Sequence, residues 1–129
     1  MTAASLDSST SNLVSVTVSG SGPAVHVSAV GEVDSTSAPV LRERLEALLD
    51  GDVRDLTVDL GQVTFLDSAG LCVLAAAHRR ATRQDVTMRV LASSRAVIRP
   101  LQITGLWELL GAQQVDGTAA GSAGRHGAA

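Results

Sequence analysis

Asp67 and Ser68 stand where an extended apolar run, Val63-Thr64-Phe65-Leu66, gives way to a run of small and apolar residues, Ala69 to Ala77. Short oxygen-bearing side chains at such a junction accept hydrogen bonds from the first N–H groups of a helix, which have no intrahelical partners. The positive end of the same helix also holds an anion. Ser68 therefore has two readings from its chemistry. It is either a plain helix cap or a regulatory phosphorylation site, where phosphate would add roughly −1.5 to −2 charges to a neutral surface.

Other chemistry finds little support. A hydrolase elbow reads Gly-x-Ser-x-Gly, but Leu66 stands two residues before Ser68. His26, His78 and His126 fall on a strand, a helix and a Gly/Ala-rich tail, and no pattern makes one of them a general base. Cysteine and histidine nowhere adopt zinc spacing. Asp55 and Asp59 share one face of a strand and read as solvated surface, not a metal pair. The glycines of the tail are followed by no strand or lysine, which argues against a phosphate loop. No catalytic residue, metal or cofactor is assigned, and the chain is expected not to be an enzyme.

Composition narrows the class. A chain of 129 residues with 45% apolar content supports one domain, its core built from Val, Leu, Ile and Ala because only one Phe, one Trp and no Tyr are present. A net charge of −3 argues against nucleic-acid binding. The single Cys72 cannot form an internal disulfide and reads as a small core residue in a reducing compartment. No basic residue precedes Arg42, so no secretory signal is expected. Apolar runs are too short to span a bilayer, which needs about 18–20 residues. A cytoplasmic location, with no membrane partner, is the expectation.

The elements that must present Ser68 follow from periodicity. Residues 1–12 are Ser/Thr-rich and read as a disordered leader. Val14, Val16 and Val18, then Val25, Val27 and Ala29, alternate with polar residues around Gly20-Ser21-Gly22-Pro23, predicting an antiparallel hairpin. Gly31-Glu32-Val33-Asp34 ends the second strand, Asp34 reading as a turn or capping residue. An amphipathic helix carrying Leu41, Leu45, Leu48 and Leu49 follows, with Pro39 in its first turn. Leu56, Val58 and Leu60 predict a strand reached by a helical crossover and hence parallel to its predecessor, with Gly61-Gln62 breaking the pattern. The helix after Asp67 is expected to run to about Arg83, to bury a stripe of Leu71, Leu74, Ala75 and His78, and to be the more buried of the two. Val86, Met88 and Val90 predict another strand. Ser93 or Ser94 caps a third helix with Val97, Ile98 and Leu101, disturbed at Pro100 by a kink or a 3₁₀ turn and stopped at Gly105. Leu106 to Leu110 packs back through Trp107, and residues 111–129 read as a flexible tail.

Phe65-Leu66-Asp67-Ser68-Ala69-Gly70-Leu71, followed by a small-residue helix, resembles the signature of STAS-domain anti-sigma factor antagonists. Gly31-Glu32-Val33-Asp34 resembles a second marker of that family, and Ile103-Thr104-Gly105-Leu106 a third. The three occur in family order and spacing over residues 13 to 110.

The resemblance implies an α/β fold, a small STAS-like domain with a mixed central sheet of about four to five strands and helices on one face. It also implies partner switching: the unphosphorylated antagonist binds an anti-sigma factor that is a serine kinase, freeing a sigma factor. The kinase then modifies the serine corresponding to Ser68, and a phosphoserine phosphatase reverses the change. Asp34, Asp67, Gly70 and Leu71 match the family pattern and would lie with Ser68 at the docking surface. Ala69 departs from it, replacing a second hydroxyl, and the family's closing helix is not evident after Gly111. A non-switching STAS module, serving a transporter or a signalling scaffold, is the alternative.

Overall fold

Valine alternation on the first two long strands builds one greasy sheet face, and every later element is laid against it. The computed structural model describes residues 8–10 and 14–115. The strands are β1 (Ser8–Thr10), β2 (Val14–Ser21), β3 (Ala24–Val33), β4 (Asp55–Leu66), β5 (Thr87–Ala92) and β6 (Gln113–Gln114). The helices are α1 (Ala38–Leu49), α2 (Ser68–Arg83), α3 (Arg95–Ile103) and the single turn α4 (Leu106–Leu109). Strands lie in the sheet in chain order, antiparallel from β1 to β3 and parallel from β3 to β6. The change of direction follows from the connections: a tight turn reverses β2 into β3, whereas α1 and α2 return the chain for parallel pairing. This is the expected mixed α/β architecture.

Val16, Val27, Leu56, Val58, Leu60 and Val90 are buried on one face, and Leu41, Leu45, Leu49, Leu74, Val97 and Leu101 of the helices join the same cluster. Thr17, Ser28, Thr57, Asp59 and Arg89, which alternate with the buried positions, stay wholly or partly exposed. All three long helices therefore cover one side of the sheet. On the other side His26 Nε2 lies 3.1 Å from Asp59 Oδ2, and Arg89 pairs with Asp55 at 3.3 Å. Asp55 is thus a surface ion-pair partner of Arg89, and Asp59 a hydrogen-bond partner of His26.

β4 runs unbroken through Gly61-Gln62, where a break was expected. What the sequence signals there is a change of register. Ser28 pairs with Asp59 and Val30 with Gln62, then Gly31 with Val63 and Glu32 with Phe65, so β4 carries one extra residue at each step. Each extra residue reverses the inside–outside alternation. Leu60, Val63 and Leu66, three residues apart, are all buried as a result. The first irregularity is held from both sides: Gly61 N–H donates to Asp59 Oδ1 at 2.8 Å, and Ser93 Oγ donates to the Gly61 carbonyl at 2.7 Å.

Other details depart from expectation. The inward stripe of α2 is Gly70, Val73, Leu74, Ala77 and Ala81, one residue out of phase with the predicted one. Cys72 is exposed, not a core residue. A run that is apolar on every side cannot fix its own phase, and α2 ends up no more buried than α1. α3 is helical through Pro100, so of the two expected disturbances, a kink or a 3₁₀ turn, the 3₁₀ turn is not formed; Ser94 Oγ accepts from Ala96 N–H at 3.1 Å at its start. Ser8–Thr10, inside the expected leader, pairs with β2. Gln113–Gln114, inside the expected tail, pairs with β5, and Val115 N–H donates to the Ala92 carbonyl at 2.8 Å. In both cases an open strand edge supplied unpaired backbone groups that composition does not reveal. The remainder of the leader and residues 116–129 of the tail lie outside the described residues.

Leu110, only 2% exposed, anchors the segment after α3, while Trp107 is half-buried at the margin. Leu110→Ala is expected to cost about 2–5 kcal/mol of stability in urea unfolding, more than Trp107→Ala despite the smaller side chain removed.

Candidate functional site: the strand-end corner

The site forms where the C-terminal ends of β3 and β4 meet the first turn of α2. Asp67 has extended backbone and serves as the N-cap, its Oδ1 accepting from Ala69 N–H at 2.9 Å and more distantly from Gly70 N–H at 3.4 Å. Its own N–H donates to the Val33 carbonyl at 3.1 Å, which ties the start of α2 to the end of β3. Ser68, next in line, is exposed, and its hydroxyl has no protein partner among the described residues. Capping is therefore done by the carboxylate. The hydroxyl is left free.

Gly70 is buried because α2 approaches the strand ends closely. A Cβ at this position would stand 2.3 Å from Leu66 Cδ1 and 2.9 Å from Val33 Cγ1. Both neighbours are core residues at 3% and 0% exposure, so neither has space to withdraw. Leu71, half-buried, packs at the edge of the core, and its N–H donates to the Asp67 carbonyl at 3.0 Å.

The neighbouring loop is built as tightly. Gly31 takes φ +119°, a conformation that side-chain-bearing residues avoid, just before the second register shift. Asp34 Oδ1 accepts from Thr36 N–H at 2.9 Å, Thr36 Oγ1 at 2.8 Å and Ser37 N–H at 3.1 Å. Of the two roles expected for Asp34, turn or cap, the structure shows the turn; the N-cap position of α1 lies three residues later. Ser37 occupies that position, fully buried, and turns its hydroxyl inward to donate to the Glu32 carbonyl at 2.7 Å while accepting from Asp34 N–H at 2.9 Å. The Thr36 hydroxyl is the main cause that holds the Asp34 carboxyl below its ordinary range; desolvation opposes this, and the backbone N–H groups of Thr36 and Ser37 add to the lowering.

Asp34, Asp67, Ser68, Gly70 and Leu71 thus come together in one corner, joined through Val33. Ser37, one of the Ser35-Thr36-Ser37 group that the sequence offers as possible N-caps, takes that position but spends its hydroxyl on the loop. Two features escaped the sequence reading. Phe65, 45% exposed, stands beside the corner in register with Glu32, both turned away from the helices. Cys72 lies one helical turn after Ser68 on the same outer face of α2. The second register shift is what turns Phe65 away from the helix-covered face.

Among the described residues no histidine is placed to act as a base for Ser68. His78 is ten residues further along α2, about 15 Å by helical rise. His26 pairs with Asp59 on the far side of the sheet. His126 lies outside the described residues. Among the described residues no cluster of His, Cys, Asp or Glu could hold a metal, and no helix is long and apolar enough to cross a membrane.

The sequence profile described as "Mlab, STAS domain" matches residues 16–111. The chain belongs to the STAS-domain family. Among curated relatives of this STAS domain, the anti-sigma-B factor antagonist of Bacillus subtilis is 35% identical over 86 residues, covering 67% of this chain and 78% of the relative. That of Listeria monocytogenes is 28% identical over 93 residues, covering 72% and 82%. An anti-sigma factor antagonist from Mycobacterium paratuberculosis superposes with a TM-score of 0.71 at 30% identity, covering 77% of this chain and 84% of that one. The unphosphorylated form of the anti-sigma factor antagonist SpoIIAA gives a TM-score of 0.67 over 83% of this chain and 93% of its own. At 18% identity that likeness is one of fold.

Two outcomes are expected. Gly70→Ala gains helix propensity of about 1 kcal/mol but overpacks the corner, and a net loss of about 1–2 kcal/mol is expected in chemical denaturation. Because the Asp34 carboxyl is depressed in the folded state, its contribution is present above the unfolded value near 4 and is lost as pH falls through the lower folded value. Unfolding curves between pH 2 and 6 should show this component in the native protein and not in Asp34→Asn.

Proposed function

We propose that this STAS domain is a cytoplasmic, non-enzymatic anti-sigma factor antagonist that binds an anti-sigma factor serine kinase when Ser68 is unmodified. Phosphorylation of Ser68 releases the kinase, and a phosphoserine phosphatase restores binding. The observation that carries this reading is the division of labour at the corner: Asp67 caps α2, leaving the Ser68 hydroxyl exposed and unpartnered. A serine needed for capping would be costly to modify, because its oxygen would already be engaged. One freed from that duty can be modified without unfolding the helix, whose positive end tolerates the new charge.

The docking surface consists of Asp34, Asp67, Ser68, Gly70 and Leu71, with Phe65 as an apolar neighbour. Gly70 acts indirectly, by letting α2 sit close enough to present Ser68. Phosphate would add its charge beside the Asp67 carboxylate, whose strongest acceptor contact is already spent on Ala69. A partner surface fitted to a neutral hydroxyl then faces a concentrated negative patch. Burying a mismatched charge at an interface costs about 2–5 kcal/mol, enough to separate bound from free states. Relatives named as anti-sigma-B factor antagonists support the assignment.

A pull-down from the native cell followed by reconstitution with the recovered kinase and ATP tests it. Phosphate is expected on Ser68 alone, and Ser68→Glu should bind the kinase at least tenfold more weakly, about 1.4 kcal/mol. Ser68→Ala should bind normally and resist modification. Equal binding by native protein and Ser68→Glu would overturn the switch. Recovery of a transporter subunit, with no phosphorylated form in cells, would favour the non-switching module.

A further inference from the structure

At the opposite end of α2 from Ser68, a groove of about 310 Å³ opens between α1 and α2. Leu45, Leu49, Val73 and Ala77 line it with hydrocarbon. Around them stand Arg42, Arg79, Arg80 and Arg83, four of the ten basic residues of a chain whose net charge is −3. The only carboxylate lining the groove is Glu46, whose Oε2 lies 4.0 Å from Arg42 Nε, a distance at the outer limit of an ion pair. Arg80 is occupied, its guanidinium holding Asp50 and Gln84. Arg79 and Arg83 are exposed and have no partner among the described residues.

We propose that this groove receives an acidic amphipathic helix from a partner protein. Arg79 and Arg83 are one turn apart, about 6 Å along the axis, so their forks match carboxylates at i and i+4 on a second helix. Apolar side chains between those carboxylates would enter the groove toward its hydrocarbon lining. Charge complementarity selects the occupant. The groove concentrates guanidinium groups on a protein that elsewhere carries excess acid, and its banks expose arginine, Glu46 and Ala76 with no protruding large apolar side chain for a bilayer. The exposed face that begins at Ser68 continues through Cys72 and Ala76 to Arg79 and Arg83 in steps of four, four, three and four residues. A partner seated at the corner could therefore reach the groove along one side of α2, although the groove's own binding does not depend on the state of Ser68.

The test uses the full chain and a panel of labelled helical peptides. Each has Glu at i and i+4 and varied Leu, Ile, Met or Ala between them, with Lys-for-Glu counterparts as controls. In fluorescence anisotropy at 50 mM salt, saturable binding is expected for acidic members and not for the Lys counterparts. Arg79→Glu/Arg83→Glu should weaken binding at least tenfold and Arg79→Gln/Arg83→Gln by less, while Arg95→Glu on α3 leaves it unchanged. Circular dichroism confirms that each variant is folded. Failure of every acidic peptide to bind would overturn the proposal, as would affinity unaltered in the Arg79/Arg83 variants. Tighter, saturable binding of inorganic phosphate or of anionic phosphatidylglycerol vesicles at the same arginines would also overturn it. Because no outcome involves phosphorylation, failure here and failure of the Ser68 switch are distinguishable.

Discussion

The bond from Asp67 N–H to the Val33 carbonyl is the constraint on which the corner depends. It fixes where α2 begins relative to the end of β3, and so joins two loops far apart in sequence. Once the bond is made, the first turn of α2 must lie almost on top of Val33 and Leu66, and only a residue without Cβ fits at position 70. The close approach in turn leaves Asp67 to cap the helix and Ser68 to face outward. Backbone pairing, steric exclusion and capping thus determine the same surface, each at a distance of a few ångströms.

The loop before α1 follows a related logic from the opposite direction. Its carboxylate gathers donors from Thr36 and Ser37, while the buried Ser37 hydroxyl bridges the Glu32 carbonyl and the Asp34 amide. Neither loop relies on bulk hydrophobic packing for its shape. Each is specified by a handful of polar groups against a rigid sheet end, which gives the exposed corner a fixed shape.

Much of this was legible beforehand, and the reasons differ by residue. Valine alternation and leucine spacing announced β2, β3 and α1, because one covered sheet face imposes a strict period. The cap at Asp67 and the turn at Asp34 were legible because short oxygen side chains before helical runs have few other uses. The phase of α2 was not, since Ala69 to Ala77 offers apolar residues in every direction and only tertiary contact chooses among them. Cys72 was misplaced for that reason. The edge strands were invisible for another: Ser8–Thr10 and Gln113–Gln114 owe their structure to backbone edges supplied by β2 and β5. The outward turn of Phe65 was not legible within its apolar run, because the two register shifts in β4 alter parity without changing composition.

Those shifts carry a consequence for how this surface can change over evolutionary time. Between Leu60 and Leu66, buried positions recur every third residue, so the segment tolerates exchange of side chains more readily than a change in its length. Loss of a single residue there would carry Phe65 inward, turn its neighbours outward and drag the start of α2 away from Val33. Substitution can change the chemistry that the corner exposes; insertion or deletion would dismantle the corner itself. Divergent descendants of this chain should therefore vary in letters along residues 61–66 while keeping their number.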